Sequence, residues 1–449
     1  MISDLSTSTG GTAHAAQGSL GQPDQDSSVS VVSLTESHPA ARPYLPGLEL
    51  CPRHWESQGR DEAEEAPRGI GGYVSDHPDD FYVHELPKYF PSGEGEHTMA
   101  LVLKMGRTTE DAISSLSRGS GVSARDIGYS GRKDKQALTT QWISLPTTPD
   151  QVNSVDDQVV VLLAAPHHQK LKLGHHLGNL FAIRVSEVTD LDALEEGLAR
   201  LKRGIPNYFE RQRFGRTYYK VRPDSDYQPP RDATGRPLQD PNNHATDNVD
   251  TALRLLRDPR QRGHGKRTRY HKLALSALQS AMFNLWVGER IKDGLMERVI
   301  LGDVCRKIGG GTFYSTDPDI DTERLRCGEI EVLGPLVGPK LFPAQELARA
   351  REESLYLRWG LTAEMRSSLG RTWRGDRRSL LLKPQNLTAT VELGALGDVR
   401  HVRLLFRLAP GSFATALLGD LIHPLGGTFS RLKTPVTHPD QGVQDLQET

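Results

Sequence analysis

Between residues 81 and 201 the chain consists mainly of short segments with strand-like alternation of apolar residues. Only two segments with helical spacing separate them. Apolar residues alternate around Phe81 and Val83, which predicts a strand there. The helices are predicted for Thr108–Arg118, which opens with a threonine and two acids suited to a helix N-terminus, and for Leu191–Leu201. The remaining strands are predicted for His97–Leu103, Thr139–Leu145, Val159–Ala164 and Leu180–Val188. The pattern therefore predicts a protein that combines a sheet with helices.

The second half of the chain breaks this pattern before returning to it. Residues Pro223–Asn248 are dense in Pro, Asp, Asn and Gly, which predicts a long excursion or a domain junction. Beyond it, Leu273–Ile291 has the strongest helical pattern of the chain. Strand character resumes at Val391 and in Val402–Leu408, and Gly411–Ile422 is predicted to form a helix.

Charge is unevenly distributed, although the formal net charge of the 449 residues is only −2. Residues 1–66 hold ten Asp or Glu and three Lys or Arg, and their polar composition predicts a disordered acidic leader. Arg200–Arg222 has eight Lys or Arg against one Glu, and Arg254–Lys272 has eight against one Asp. One basic run is usually solvated surface, but two of them favour a polyanionic substrate.

Several classes of protein do not fit the sequence. Its apolar runs are too short to span a bilayer, and its N-terminus lacks the basic start and apolar stretch of a secretory signal. Three widely spaced cysteines favour a reducing cytoplasm over a disulfide framework. No metal site is predicted, because no carboxylate or cysteine lies near the four clustered histidines, His167, His168, His175 and His176.

The segment Gly128–Lys135 (GYSGRKDK) is the best candidate for chemistry. Its glycines permit a tight turn that presents Asp134 between Lys133 and Lys135. A free aspartate has a pKa near ~3.9, and two flanking cations favour its charged form further. Such a carboxylate is suited to act as a nucleophile or general base, although by itself the pattern more often marks an ordinary charged turn.

A wider set of motifs resembles one family. Gly128–Gln141 (GYSGRKDKQALTTQ) is similar to the signature of the TruD family of tRNA pseudouridine synthases, a glycine-bounded Lys-Asp-Lys turn followed by Ala-x-Thr-x-Gln. The motifs extend over roughly residues 70–425, and such an ordered set is stronger evidence than any one of them. The others resemble family motifs in family order: Pro78–Glu85 (PDDFYVHE), Gly93–His97 (GEGEH), Leu171–Phe181 (LKLGHHLGNLF), Pro206–Gly215 (PNYFERQRFG), Ser276–Arg290 (SALQSAMFNLWVGER) and Gly411–Thr415 (GSFAT).

The resemblance implies an isomerase that converts a uridine of tRNA, at position thirteen, to pseudouridine without a cofactor. It makes Asp134 the catalytic aspartate, which either attacks the first carbon of the target sugar or removes a sugar proton to give a glycal. Phe209 is expected to stack on the flipped uracil, and Asn207 to hydrogen-bond near the catalytic loop and help fix Asp134. Lys133 and Lys135 are also expected to bind substrate. Without the resemblance, Phe209 is more readily explained as a core aromatic residue.

The expected partner is tRNA, with no membrane and no obligatory protein partner. Basic residues around the PNYFERQRFG motif are the candidates for contacts with RNA phosphates, because cations position a nucleic-acid backbone. They are Arg200, Lys202, Arg203, Arg213 and Arg216.

Three positions depart from the family pattern. Ser75 stands where the family often has a basic residue, and Glu210 and Arg211 stand where it commonly has Gly and a smaller or acidic residue. Ser75 and Glu210 leave room for a tRNA-binding chaperone of the same fold with little turnover, although an intact Asp134 argues against it. A second alternative is the same isomerase acting on messenger or ribosomal RNA, because specificity depends on cleft shape and RNA structure.

The resemblance also implies an α+β fold with a pseudouridine synthase-like catalytic domain, built on a mixed sheet, and an inserted α/β TruD-type domain. The expected divisions are a leader at 1–66, the first part of the catalytic domain at 67–222, the insertion at 223–372, the second part of the catalytic domain at 373–434 and a flexible tail at 435–449.

Overall fold

The computed structural model describes residues 67–75, 77–209, 213, 248–257, 266–358, 360–368, 373–394 and 400–422. The predicted leader and tail lie outside these residues, as do Glu210, Arg211 and Arg216. The strands, in chain order, are β1 Phe81–Pro87, β2 His97–Lys104, β3 Gly128–Tyr129, β4 Leu138–Leu145, β5 Val159–His167, β6 His176–Val185, β7 Ile205–Pro206, β8 Val304–Lys307, β9 Thr312–Tyr314, β10 Ile330–Leu336, β11 Asp376–Ser379, β12 Leu381–Leu382, β13 Gln385–Leu393 and β14 Arg400–Leu408. The α-helices are α1 Thr109–Ser120, α2 Ala193–Arg203, α3 Asn248–Arg257, α4 Lys266–Lys292, α5 Pro318–Arg326, α6 Glu346–Arg358, α7 Ala363–Ser368 and α8 Ala414–Ile422.

The larger sheet has eight strands and joins two distant parts of the sequence. Its order is β13-β14-β6-β1-β4-β2-β5, with β3 added on β4. The sheet is mixed, because β1 and β4 are parallel while β1 and β6, β2 and β4, and β6 and β14 are antiparallel. Strands from residues 81–185 and from residues 385–408 therefore complete one sheet.

Helices α1, α2 and α8 bury their apolar residues against this sheet. Leu116 of α1 packs with Val102 of β2 and Ile143 of β4, while Leu201 of α2 shares a core with Leu417 of α8. Helix α1 starts where the sequence predicts, at a capping box. The Asp111 N–H donates to Thr108 Oγ1 at 3.1 Å, and the Thr108 N–H donates to Asp111 Oδ2 at 2.9 Å.

A second, four-stranded sheet of order β11-β10-β8-β9 packs against the long helix α4. Phe283 and Trp286 of α4 share a core with Ile330 and Val332 of β10 and with Tyr356 of α6. The short pair β7–β12 links the part of the chain that leaves the large sheet to the part that returns to it. Strand β11 belongs to the smaller sheet, and the chain rejoins the larger sheet at β13. The predicted domain divisions stay a prediction.

The expectation of an α+β fold with a mixed sheet is confirmed. The predicted strands and helices of residues 81–201 are present, with ends that differ by a few residues. Helix α4 begins at Lys266 rather than at the predicted Leu273, because the basic residues before the apolar pattern are also helical. None of the helices in the described part of the chain has the length and apolar character needed to cross a bilayer.

Candidate active site

Asp134 lies in the turn between β3 and β4, and its side chain is exposed. The main chain beneath it is anchored by Lys104, the last residue of β2, whose side chain is fully buried. Lys104 Nζ donates to the carbonyl oxygen of Asp134 at 2.7 Å and to that of Arg107 at 2.8 Å. A cation therefore lies directly under the peptide that carries the candidate catalytic carboxylate.

Burial lowers the pKa of Lys104 from 10.5 to about 8. The charge of Lys133 lowers this pKa further, whereas those of Asp134 and Asp111 raise it. The Asp134 carboxylate therefore favours the charged form of Lys104. Lys104 gave no signal in the sequence, because it is a strand residue thirty positions before Asp134.

Lys133 anchors the same turn from its other side. Its backbone N–H donates to Thr109 Oγ1 at 3.0 Å, and its Nζ lies 2.7 Å from Glu85 Oε2 and 2.6 Å from Asn179 Oδ1. The Lys133 side chain is 5% exposed and that of Glu85 is fully buried. The Lys133 ammonium is held inside the protein by Glu85, and its expected role in substrate binding stays a prediction. Lys135 is exposed beside the turn, and its role in substrate binding stays a prediction.

Gly128, the first glycine of the motif, has a steric role. A Cβ on Gly128 would lie 2.5 Å from the Leu171 carbonyl oxygen and 2.5 Å from Ser144 Oγ. The neighbouring loop is tied to the motif because the Gly174 N–H donates to the Ser130 carbonyl at 2.8 Å. The LKLGHHLGNLF segment thus supports the motif that carries Asp134 from the side.

Asn207 is buried just after β7. Its Nδ2 donates to the Ser379 carbonyl at 2.9 Å, and its Oδ1 accepts from Arg378 Nη2 at 2.6 Å. These contacts place it in a network with β11. Its expected role in fixing Asp134 stays a prediction.

Phe209 is half-buried on the rim of the core around α4. Its backbone is held on both sides by one side chain, because Asn284 Oδ1 accepts from its N–H at 2.8 Å and Asn284 Nδ2 donates to its carbonyl at 2.9 Å. Its ring meets Phe283 edge-on at 5.8 Å and Phe413 at 6.0 Å. A half-buried ring with a fixed backbone suits stacking on a base, and this role too stays a prediction.

The arginines and lysines expected to contact RNA phosphates lie in different environments. Arg200 is 4% exposed, and its Nε donates to Asp420 Oδ1 at 2.9 Å, so it joins α2 to α8. The helical spacing that exposes Lys202 and Arg203 turns Arg200 inward, and its expected phosphate contact stays a prediction. Arg213 is held by Ser276 and Ser280 of α4, and burial lowers its pKa.

Ser75 and the histidines take part in local packing. Ser75 is buried, and its hydroxyl donates to Asp80 Oδ2 at 2.6 Å just before β1. Tyr89 stacks on His167 at 5.2 Å between ring centroids, and its hydroxyl lies 2.5 Å from His175 Nδ1. Within the described ranges, His, Cys, Asp and Glu side chains form no group of three arranged to hold a metal ion.

A model of the family described as tRNA pseudouridine synthase D (TruD) matches residues 65–222 and 267–421. The chain belongs to the TruD family. Members of this family are isomerases, and the two matched ranges include the Asp134 turn, the Asn207–Phe209 segment and the return to the large sheet. The match is interrupted between residues 222 and 267, near the stretch in which the sequence predicts a junction.

Individual TruD proteins agree with the family assignment. The chain is 36% identical over 361 residues to tRNA pseudouridine synthase D of Anaeromyxobacter sp. (strain Fw109-5), covering 79% of this chain and 93% of the relative. It is 35% identical over 362 residues to that of a strain of Thermus thermophilus, covering 79% and 89%. The crystal structure of the putative tRNA pseudouridine synthase D from Methanosarcina mazei has a TM-score of 0.55 and 22% identity, covering 79% of this chain and 94% of that one. This last similarity shows the fold.

Proposed function

We propose that this chain isomerises a uridine of tRNA, at position 13, to pseudouridine, with Asp134 as the catalytic residue and without a cofactor. The observation that carries the proposal is the anchored Asp134 turn in a chain of the TruD family. Lys104 holds the carbonyl of Asp134, and Thr109 holds the N–H of Lys133, while the Asp134 carboxylate itself is exposed. A preorganised main chain lowers the cost of presenting the carboxylate to a substrate.

The reaction needs no group donor, because uridine and pseudouridine are isomers. The bond from uracil N1 to the first sugar carbon breaks, and a bond from uracil C5 to that carbon forms. The C5 proton is lost to solvent, and N1, which carries no proton in uridine, takes one up from solvent, so the atoms balance. Asp134 either forms a transient bond to the first sugar carbon or removes a sugar proton to give a glycal, and both routes need the ionised carboxylate.

Phe209 would receive the base once it has left the RNA stack. Extrusion of a nucleotide costs a few kcal/mol of stacking, roughly what stacking on an aromatic side chain can return. The Phe209 ring is held in place for stacking, because Asn284 hydrogen-bonds the Phe209 backbone and Phe283 packs edge-on with the ring. Exposed Lys202 and Arg203 at the end of α2 are suited to hold RNA phosphates.

The proposal is tested with an unmodified tRNA transcript incubated with the full chain, followed by chemical mapping of pseudouridine at single-nucleotide resolution. We expect one modified position, uridine 13, and no product on a transcript with cytidine at that position. Ribosomal and messenger RNA fragments are assayed in parallel. Product on those RNAs alone would overturn the assignment of tRNA as substrate.

A further control separates catalysis from chaperone activity. If tRNA is bound tightly and refolded without any pseudouridine being formed, the isomerase proposal is wrong and the chain acts as an RNA chaperone. The Asp150→Asn variant controls for the loss of an exposed aspartate, because Asp150 lies beyond the end of β4 that is far from the turn. This variant should retain full activity.

A further inference from the structure

Arg378 of β11 connects segments that are far apart in the sequence. Its Nε and Nη2 donate to the carbonyl oxygen and Oδ1 of Asn207 at 3.1 and 2.6 Å, and its Nη1 donates to the Gly411 carbonyl at 2.6 Å. Asn207 and Gly411 belong to the PNYFERQRFG and GSFAT motifs. One side chain of the smaller sheet therefore ties together two motifs of the chain.

The same guanidinium lies over the ring of Phe209, with its central carbon 4.0 Å from the ring centroid. It also lies 5.4 Å from the ring centroid of Phe283 and 5.8 Å from that of Phe413. A planar guanidinium at this distance is a favourable partner for an aromatic face. Arg378 thus covers one face of Phe209, and the central carbon of the Arg213 guanidinium lies 5.9 Å from the same ring centroid. A base that stacks on Phe209 would have to use the face opposite Arg378.

The charge of Arg378 is costly in this position. All three of its acceptors are neutral oxygens, and burial together with the charge of Arg213 lowers its pKa to about 9. An apolar side chain of similar length would fill the space at lower electrostatic cost. The arginine at this position is therefore better explained by the geometry that a planar, three-way donor imposes than by a gain in stability.

We propose that Arg378 is the positioning residue for base stacking: it fixes Asn207 and covers one face of Phe209, so that the target uracil stacks on the opposite face. This inference rests on the proposed function. It predicts that Arg378 acts through Phe209 on the chemical step rather than through the affinity for tRNA, which depends mainly on phosphate contacts.

The test measures single-turnover pseudouridine formation at saturating tRNA, together with the tRNA dissociation constant and the thermal unfolding of each variant. We expect Arg378→Met to lower the rate constant about 10–100-fold, the scale of a misplaced reacting group, with a dissociation constant within about threefold of wild type. Arg378→Lys should not restore the rate, because an ammonium lacks the planar three-way geometry. Arg349→Met removes an exposed arginine of α6 and should leave the rate unchanged.

A double-mutant cycle distinguishes a positioning role of Arg378 from a purely structural role, because it measures whether the rate effect of Arg378 depends on Phe209. In a Phe209→Leu background, Arg378→Met should change the rate by less than about threefold, because the ring through which it acts is gone. Independent, multiplicative effects of the two substitutions would overturn the proposal. So would a folded Arg378→Met protein with the wild-type rate, or one whose whole defect lies in tRNA affinity.

Crosslinking of the wild-type protein covers the case in which the Arg378 variants fail to fold. A tRNA with 4-thiouridine at the target position is irradiated on the full chain, and the adduct is located by mass spectrometry. An adduct on Phe209 supports the proposal, and an adduct on Arg378, or none on Phe209, contradicts it. An inactive wild-type protein would instead mean that the proposed function itself has failed.

Discussion

At the residue scale, the proposed chemistry depends on an exposed carboxylate, and the main chain that carries it is held by the buried ammonium of Lys104 and by the Thr109 hydroxyl. The sequence predicted Asp134 and the turn that presents it, because glycines and flanking charges are local signals. It could not predict that Lys133 pairs with Glu85 or that Lys104 holds the Asp134 carbonyl. Those contacts depend on the register of β1, β2 and β4, which brings together residues far apart in the chain.

Lys104 leads to a prediction on pH dependence. Its folded pKa of about 8 lies below the ordinary value of 10.5, so between these values the unfolded state binds more protons than the folded state. The stability that wild type has over Lys104→Met should therefore rise as the pH increases from about 8 to 10.5. The gain over the whole window should be at most about 3 kcal/mol.

Urea denaturation of both proteins at pH values of about 7.5, 9 and 10 measures the difference directly. Lys135→Met removes an exposed lysine of the same turn and controls for the loss of a charge there. If the stability difference between wild type and Lys104→Met is constant or falls as the pH rises, the lowered pKa of buried Lys104 is contradicted.

At the scale of elements, predictions from the sequence succeeded where the signal is periodic. The strands of residues 81–201 and the capped start of α1 follow from alternation and from the Thr108 cap. The inward direction of Arg200 was missed, since a basic cluster does not reveal which side of a helix each residue occupies. The close contact between Gly128 and the loop at Leu171 was also beyond the sequence, because it is a tertiary contact.

Gly128 and Gly288 give a matched pair of glycine substitutions. Gly128→Ala should destabilise the protein by about 1–3 kcal/mol, the usual cost of overpacking, because its Cβ would meet the Leu171 carbonyl at 2.5 Å. Gly288→Ala in α4 should stabilise it by about 0.5–1 kcal/mol, because nothing lies within 4 Å of the added Cβ. Chemical denaturation measures both, and equal effects would show that the contact at Gly128 is not tight.

At the scale of the whole molecule, one chain builds two sheets and returns to the first. The family resemblance predicted this return, whereas periodicity alone could not say which strands share a sheet. Membership of the TruD family and the continuity of β13 and β14 with the first part of the large sheet point to the same architecture. Whether the basic residues Lys202 and Arg203 at the end of α2 contact RNA can be tested by measuring the affinity for tRNA.

The salt dependence of tRNA binding separates Lys202 from Arg200. Lys202→Ala should weaken binding and reduce the slope of log affinity against log salt by about one, as expected for one lost phosphate contact. Arg200→Ala should leave the slope unchanged while lowering stability by about 3–5 kcal/mol, because it removes the ion-pair partner of buried Asp420. Binding isotherms at several salt concentrations and thermal melts provide the data. A reduced slope for Arg200→Ala would mean that this arginine does reach the RNA.

The central claim is that Asp134 carries out the isomerisation, and release of tritium from carbon five tests it most directly. Transfer RNA labelled at C5 of its uridines is incubated with wild-type protein and with Asp134→Asn, which keeps the size of the side chain and removes its charge. We predict release of tritium by wild type and a loss of at least about 10³-fold with Asp134→Asn, with tRNA affinity and thermal stability preserved. Release by Asp134→Asn at the wild-type rate would contradict the claim, because the exposed carboxylate of the anchored turn would then have no part in the chemistry.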